Sequence, residues 1–157
     1  MMRKRITPIP QNASFLENDF LDLATVAQVE VTSEDEAYPV EAALLPGEKR
    51  GWRAAVSGPQ TIRLVFDRPQ ELKCILLVFE ETEANRTQEF VLRWSPDAGH
   101  SFREIVRQQW TFSPTGSARE TESYDVKLSD VTVLELIMVP DISGGEARAS
   151  LVSWRLA

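Results

Sequence analysis

One cysteine, one histidine and, by direct count, four lysines set the first limits on this chain of 157 residues. With Cys74 alone, no internal disulfide can form, which suits a reducing compartment; a cytoplasmic location is the expectation. With His100 alone, zinc sites built on several histidines are excluded. A Ser-His-Asp arrangement would rest on this residue beside a turn, where a histidine is ordinarily just solvated. Positive charge is also short: 17 Lys and Arg against 24 Asp and Glu give a net charge of -7. That balance opposes polyanions, whose affinity comes from neutralising phosphates, so neither nucleic acid nor an anionic membrane is an expected partner. Since only Lys4, Lys49, Lys73 and Lys127 are lysines, the cations are mostly rigid guanidinium forks suited to fixed hydrogen bonding.

Long apolar runs are missing as well. The longest, residues 74–79, falls far short of the ~20 residues that a membrane helix needs. Residues 1–5 are basic, but Pro8 and Pro10 stand where a secretory signal requires about 7–15 apolar residues. Neither a signal peptide nor a membrane insertion is expected. No useful 3.6-residue apolar period occurs, and Gly144-Gly145 reads as a hairpin turn rather than a phosphate-cradling loop.

The composition, 43% hydrophobic and 26% charged, is that of a globular domain with one core. Residues 1–24 read as a tail in which Asn18 or Asp19 caps a short helical turn through Phe20, Leu21 and Leu23. Residues 25–157 read as the domain. Within it Ala27, Val29 and Val31 alternate with polar neighbours, as do Ile62, Leu64 and Phe66, and again Phe90, Leu92 and Trp94, the period of a half-buried strand. Residues 72–79 are almost continuously apolar, as in a strand central to its sheet. Further strands are expected at 52–56, 101–112, 123–128, 131–139 and 149–156. Many short strands with turns between them indicate an all-β antiparallel sandwich or barrel.

From about Leu44 onward the order of landmarks resembles the discoidin family, the coagulation-factor type C domains of the galactose-binding-like jelly rolls. Gly51-Trp52-Arg53-Ala54 precedes a strand that ends in Asp67-Arg68-Pro69, and the long apolar strand follows. Next, Trp94-Ser95-Pro96-Asp97-Ala98-Gly99 leads to Phe102, with Ala98 as one extra residue in the turn. Ser150-Leu151-Val152-Ser153-Trp154-Arg155-Leu156 resembles the closing strand. The resemblance implies a discoidin-like jelly roll whose connections at one end recognise a ligand. Two departures stand out. Secreted members often join their ends by a disulfide, and many hold calcium through a carboxylate near the C-terminus; residues 153–157 offer none. The acidic segment 33–36 supplies oxygen ligands that keep calcium in question, but no metal or other cofactor is expected.

Sugars are held by ring stacking and directional hydrogen bonds, so useful loops mix aromatic and polar side chains. Tyr38, Arg50, Glu83, Asn85, Arg86 and Trp110 are the candidate ligand-binding residues on that basis. Trp52, Trp94 and Trp154 fall in strands and read as core. Cys74 lies in the most apolar strand, where a thiol is a small hydrophobe rather than a nucleophile. Glu80, Glu81 and Glu83 could serve a glycosidase only if two carboxylates faced each other across a sugar; such a cluster more commonly solubilises a strand end. The expectation is a noncatalytic module for carbohydrate or a similar polar ligand; an intracellular protein-interaction or assembly subunit is the alternative. The sequence leaves the oligomeric state open.

Overall fold

A computed structural model describes residues 3–4 and 19–157. The order of elements is α1 (Leu23–Val26), β1 (Ala27–Val31), α2 (Glu41–Leu44), β2 (Trp52–Arg53), β3 (Gln60–Glu80), β4 (Arg86–Ser95), β5 (Arg103–Phe112), β6 (Arg119–Val139), β7 (Ser150–Leu151) and β8 (Ser153–Leu156). All strand pairs are antiparallel. The all-β sandwich expected from the alternating patterns is the fold observed, and both helices are single turns. Among the described residues no helix is long and apolar enough to cross a membrane.

The framework is one long pair, β3 with β6, each 21 residues. Their ladder slips between Val65 and Gln70, then before Leu72 and again before Cys74. Pro69 has no N–H to give to a ladder, and on the opposite strand Asp130 takes a left-handed φ of 60°, so the pair bends here without ending. Before the bend, β3 lies between β1 and the second half of β6, and β4 and β5 continue that layer; beyond it, β3 lies between β8 and the first half of β6. The two halves face each other: Phe79 of β3 stacks on Phe90 of β4 at 5.1 Å, though these strands are not paired. Between the layers lie Ile62, Leu64, Leu77, Phe79, Leu92, Leu136, Trp52 and Trp154, all nearly or fully buried.

The sequence divides this pair differently. It predicts separate strands at 61–67 and 72–79, and at 123–128 and 131–139, because Asp67-Arg68-Pro69 and Ser129-Asp130 read as breaks; in the structure they are bulges within continuous strands. The short helix also shifts. Its N-cap is Asp22, whose carboxylate accepts from the Ala24 amide at 3.2 Å, rather than Asp19; Asn18 lies outside the described residues. Trp94 is buried with the other two strand tryptophans, and Cys74 is fully buried, its thiol pushed up by desolvation and then by Asp125.

Across the outer face of the five-stranded layer runs one register row, Glu30–Arg63–Glu135–Arg93–Glu104, alternating in sign over five strands. Glu135 is buried beneath two guanidinium groups, its carboxylate accepting from Arg63 at 2.6 Å and from Arg93 at 2.7 Å, and Phe102 lies over Arg93 at 4.1 Å. Opposite charges placed directly across a ladder favour one register over its slips.

Candidate functional site

Four loop segments meet at one end of the sandwich, and the two-residue pair β2–β7 joins them. In it, Trp52 faces Leu151 and Arg53 faces Ser150. Alternation sends Trp52 and Leu151 into the core and leaves Arg53 and Ser150 on the opposite side, toward the rim. The Arg53 amide donates to the Tyr38 carbonyl at 3.2 Å and its carbonyl accepts from the Asp35 amide at 2.8 Å, fixing the acidic loop after β1. The Trp52 indole donates to the Ser33 carbonyl at 2.9 Å. On the other flank the Ser150 hydroxyl donates to the Glu80 carbonyl at 3.3 Å, and the Ala54 amide donates to the Ala149 carbonyl at 2.9 Å.

Two cavities open on this rim and share Arg53 and Ser150. The smaller, about 180 Å³, is walled by Tyr38, Arg50, Glu80 and Thr82. The larger, about 500 Å³, is walled by Glu83, Asn85 and the 141–148 loop, and lies in the size range of small-ligand pockets. Four of the six candidate residues, Tyr38, Arg50, Glu83 and Asn85, therefore line one continuous depression. Arg53 stands over the Tyr38 ring at 5.3 Å, and Arg50 donates to the Ala37 carbonyl at 3.3 Å.

Two candidates lie elsewhere. Trp110 is on β5, half-buried, outside both cavities, its indole donating to the Ser117 carbonyl at 3.4 Å. Arg86, expected on an exposed loop, is the first residue of β4, and its side chain is wholly buried. Alternation turns it inward, where it donates to Glu81 at 2.6 Å and to the Pro140 carbonyl at 2.8 Å, with the Phe112 ring 4.7 Å away. It ties the β3–β4 loop to the β6–β7 loop, so any influence on the rim passes through Glu81 and Pro140. The residues that sequence reading missed are Arg53, Ser150, Asp141 and Arg148. For Arg53 a signal existed: in a strand whose Trp52 points inward, the next side chain points out.

The carboxylates here are mostly engaged. Glu80 meets Arg119 at 2.8 Å. Burial works to raise the Glu81 carboxyl, but the bonds from Arg86 and from the Glu83 amide outweigh it and hold it below its usual range. Asp141 is held down by the Ser143 hydroxyl and then by its amide. Neither is poised as a general acid near neutrality. Among the described residues no three Asp, Glu, His or Cys side chains converge as metal ligands.

Gly51 is where the rim tolerates no side chain. Its φ is +73°, and a Cβ would collide with the Leu151 carbonyl and lie 2.8 Å from the Val152 Cα. At Gly58, φ is +91° but the space is open. Gly51→Ala is expected to cost about 2–3 kcal/mol in chemical denaturation, and Gly58→Ala only the left-handed backbone, about 1–2 kcal/mol. Equal losses would contradict the close approach.

Two other cavities, about 300 and 380 Å³, lie on the outer face of the five-stranded layer. Their guanidinium groups, from Arg63, Arg93 and Arg107, are all bonded to carboxylates, leaving no free cation to recognise a ligand. At the loop rim, among the described residues, Arg50, Arg53 and Arg148 have no carboxylate partner.

No family model matches the chain, and no curated protein matches its sequence. Solved structures do share its fold. A family 32 carbohydrate-binding module of C. perfringens NanJ, in complex with galactose, has a TM-score of 0.62 at 12% identity, with 87% of this chain and 96% of that one covered. The module of AlyQ in complex with 4,5-unsaturated mannuronic acid scores 0.61 at 15% identity over 84% and 95%. A C. perfringens module in complex with GalNAc-β-1,3-galactose scores 0.60 at 20% identity over 87% and 98%. The chain thus shares the β-sandwich fold of these modules, the fold class that the discoidin resemblance implied.

Proposed function

We propose that this chain is a noncatalytic recognition module that binds carbohydrate through the loop rim at one end of its sandwich. The observation that carries this reading is the junction of two open cavities at Arg53 and Ser150, with Tyr38 on one side and Asn85 on the other. Together they offer an aromatic ring, a carboxamide, hydroxyls, carboxylates and guanidinium forks without a carboxylate partner, the donor and acceptor mixture that sugar hydroxyls require. The sugar ligands of the fold neighbours support the same class. Glycosidic cleavage needs an acid and a facing carboxylate, whereas Glu80 and Glu81 are both tied to arginines.

A glycan array followed by NMR titration tests it. Shifts are expected to cluster at Tyr38, Arg53, Asn85 and Ser150. Tyr38→Ala is expected to weaken binding about tenfold, and Trp110→Ala to leave it unchanged. A flat array, or shifts confined to the outer face of the five-stranded layer, would dispose of the reading.

A further inference from the structure

The two cavities differ in charge, and that difference specifies the ligand. Among the described residues that wall the smaller one, the only carboxylate, Glu80, is paired with Arg119 at 2.8 Å, so Arg50 and Arg53 present positive charge there without a carboxylate partner. The Arg53 guanidinium is held over the Tyr38 ring at 5.3 Å, and Arg50 is tethered to the Ala37 carbonyl. Two guanidinium forks restrained in this way suit a planar carboxylate, which accepts two parallel hydrogen bonds from such a group. In the larger cavity the balance is opposite. Glu83, Asp141 and Glu146 stand there against Arg148 and the shared Arg53 at the junction, and Glu81 is already bonded to Arg86. Such a wall accepts from hydroxyl groups and repels a second anion.

Building on the carbohydrate reading above, we infer that the ligand is an acidic oligosaccharide with one uronate unit, whose carboxylate lies at Arg50 and Arg53, joined to an uncharged sugar whose hydroxyls donate to Glu83, Asp141 and Glu146. Arg53 and Ser150 stand where the two cavities join and so flank the linkage. The overall charge of -7 does not oppose this. Salt screens the more distant acidic groups beyond about 10 Å at 0.1 M, so the nearby guanidinium groups decide the attraction.

Calorimetric titration with four probes tests the inference. These are glucuronosyl-β-1,6-galactose, its uncharged counterpart glucosyl-β-1,6-galactose, digalacturonate, and a galactosyl-galactose bearing a 6-sulfate in place of the carboxylate. The glucuronosyl probe is expected to bind about 10- to 100-fold more tightly than the uncharged one and to weaken as salt rises. Digalacturonate and the sulfated probe are expected to be weaker. Arg53→Gln is expected to erase the preference for the glucuronosyl probe, weakening that probe about tenfold or more beyond any effect on the uncharged one, and Arg53→Lys is expected not to restore the preference. Equal or tighter binding of the uncharged probe overturns the uronate assignment but leaves the carbohydrate site standing. Equal binding of the sulfated probe overturns the choice of carboxylate, and equal binding of digalacturonate overturns the acidic-wall argument. No heat and no NMR shift with any probe defeats both the inference and the reading on which it rests.

Discussion

Replacing Arg86 by methionine is expected to lower the unfolding free energy by about 3 kcal/mol or more, the usual consequence of removing one partner from a buried ion pair. The side chain is wholly buried, while that of Glu81 keeps 12% exposure, so the loss falls at the lower end of the range for such pairs. Three acceptors lose their donor together: Glu81, the Pro140 carbonyl and, at 3.4 Å, the Gln88 amide oxygen. Methionine fills much of the volume against Phe112 but donates nothing. Urea denaturation is the measurement, and a lower midpoint with an unchanged slope is the expected form. Because Arg86 joins the two loops that wall the larger cavity, amide exchange is also expected to rise at Glu83, Asn85 and Ile142, whose own bond to the Thr87 carbonyl is 2.9 Å. Lysine is a poor substitute, since one ammonium cannot reproduce a fork that serves acceptors in two loops and on β4 itself. A loss below about 1 kcal/mol would mean that water replaces Arg86 and that the two loops are held by other bonds.

The fate of Arg86 shows how far the sequence can be read. Period-two alternation locates β1, β4 and the first part of β3, because each exposes one face and buries the other, and the continuous apolar run at 72–79 locates the rest of β3. The family resemblance marks Trp52 as core, and a place on strands marks Trp94 and Trp154, and all three are buried. The candidate loops follow from what lies between strands, which explains why Tyr38, Arg50, Glu83 and Asn85 fall together at the rim. Arg86 and Trp110 do not, because their position depends on partners distant in sequence. Pro140 lies 54 residues from Arg86 in sequence, and no local pattern reveals that a guanidinium will meet its carbonyl inside the protein. Likewise nothing local shows that β3 continues through Pro69: a proline ordinarily ends a ladder, and here the opposing bulge at Asp130 lets the strand bend and go on. The charge pairing across Glu30, Arg63, Glu135, Arg93 and Glu104 is visible only once the register of five strands is known.

Beneath Arg86, Glu120 gives the largest expected dependence on pH. It is fully buried between the layers, on the first half of β6, with the Gln88 amide donating to it at 3.4 Å from β4. Desolvation raises its carboxyl to about 8, helped by the neighbouring Glu122 and opposed by Gln88 and Arg86. Its second oxygen has no hydrogen-bond partner. Tyr124, which donates to Gln108 at 2.6 Å, is raised as well, by desolvation and then by Glu122 and Glu120. In the unfolded chain Glu120 titrates near 4.5, so between roughly that pH and 8 the folded protein carries a proton that the unfolded chain has released. Stability therefore falls as pH rises through this window, by at most about 1.4 kcal/mol per pH unit for one group. Glu81 acts in the opposite sense: its carboxyl is depressed from 4.5, so its contribution is present above that value and lost in acid. The two limbs place the stability maximum near pH 5, below the neutral range. Chemical denaturation between pH 5 and 9 reads this directly, and Glu120→Gln isolates the cause, because a glutamine there still accepts from Gln88 but has no proton to lose. The variant is expected to be flat over the window and more stable than the parent at pH 9. A slope that survives the substitution would show that Glu120 is not its source, and a parent more stable at pH 8 than at pH 5 would show that water reaches Glu120 in the folded state.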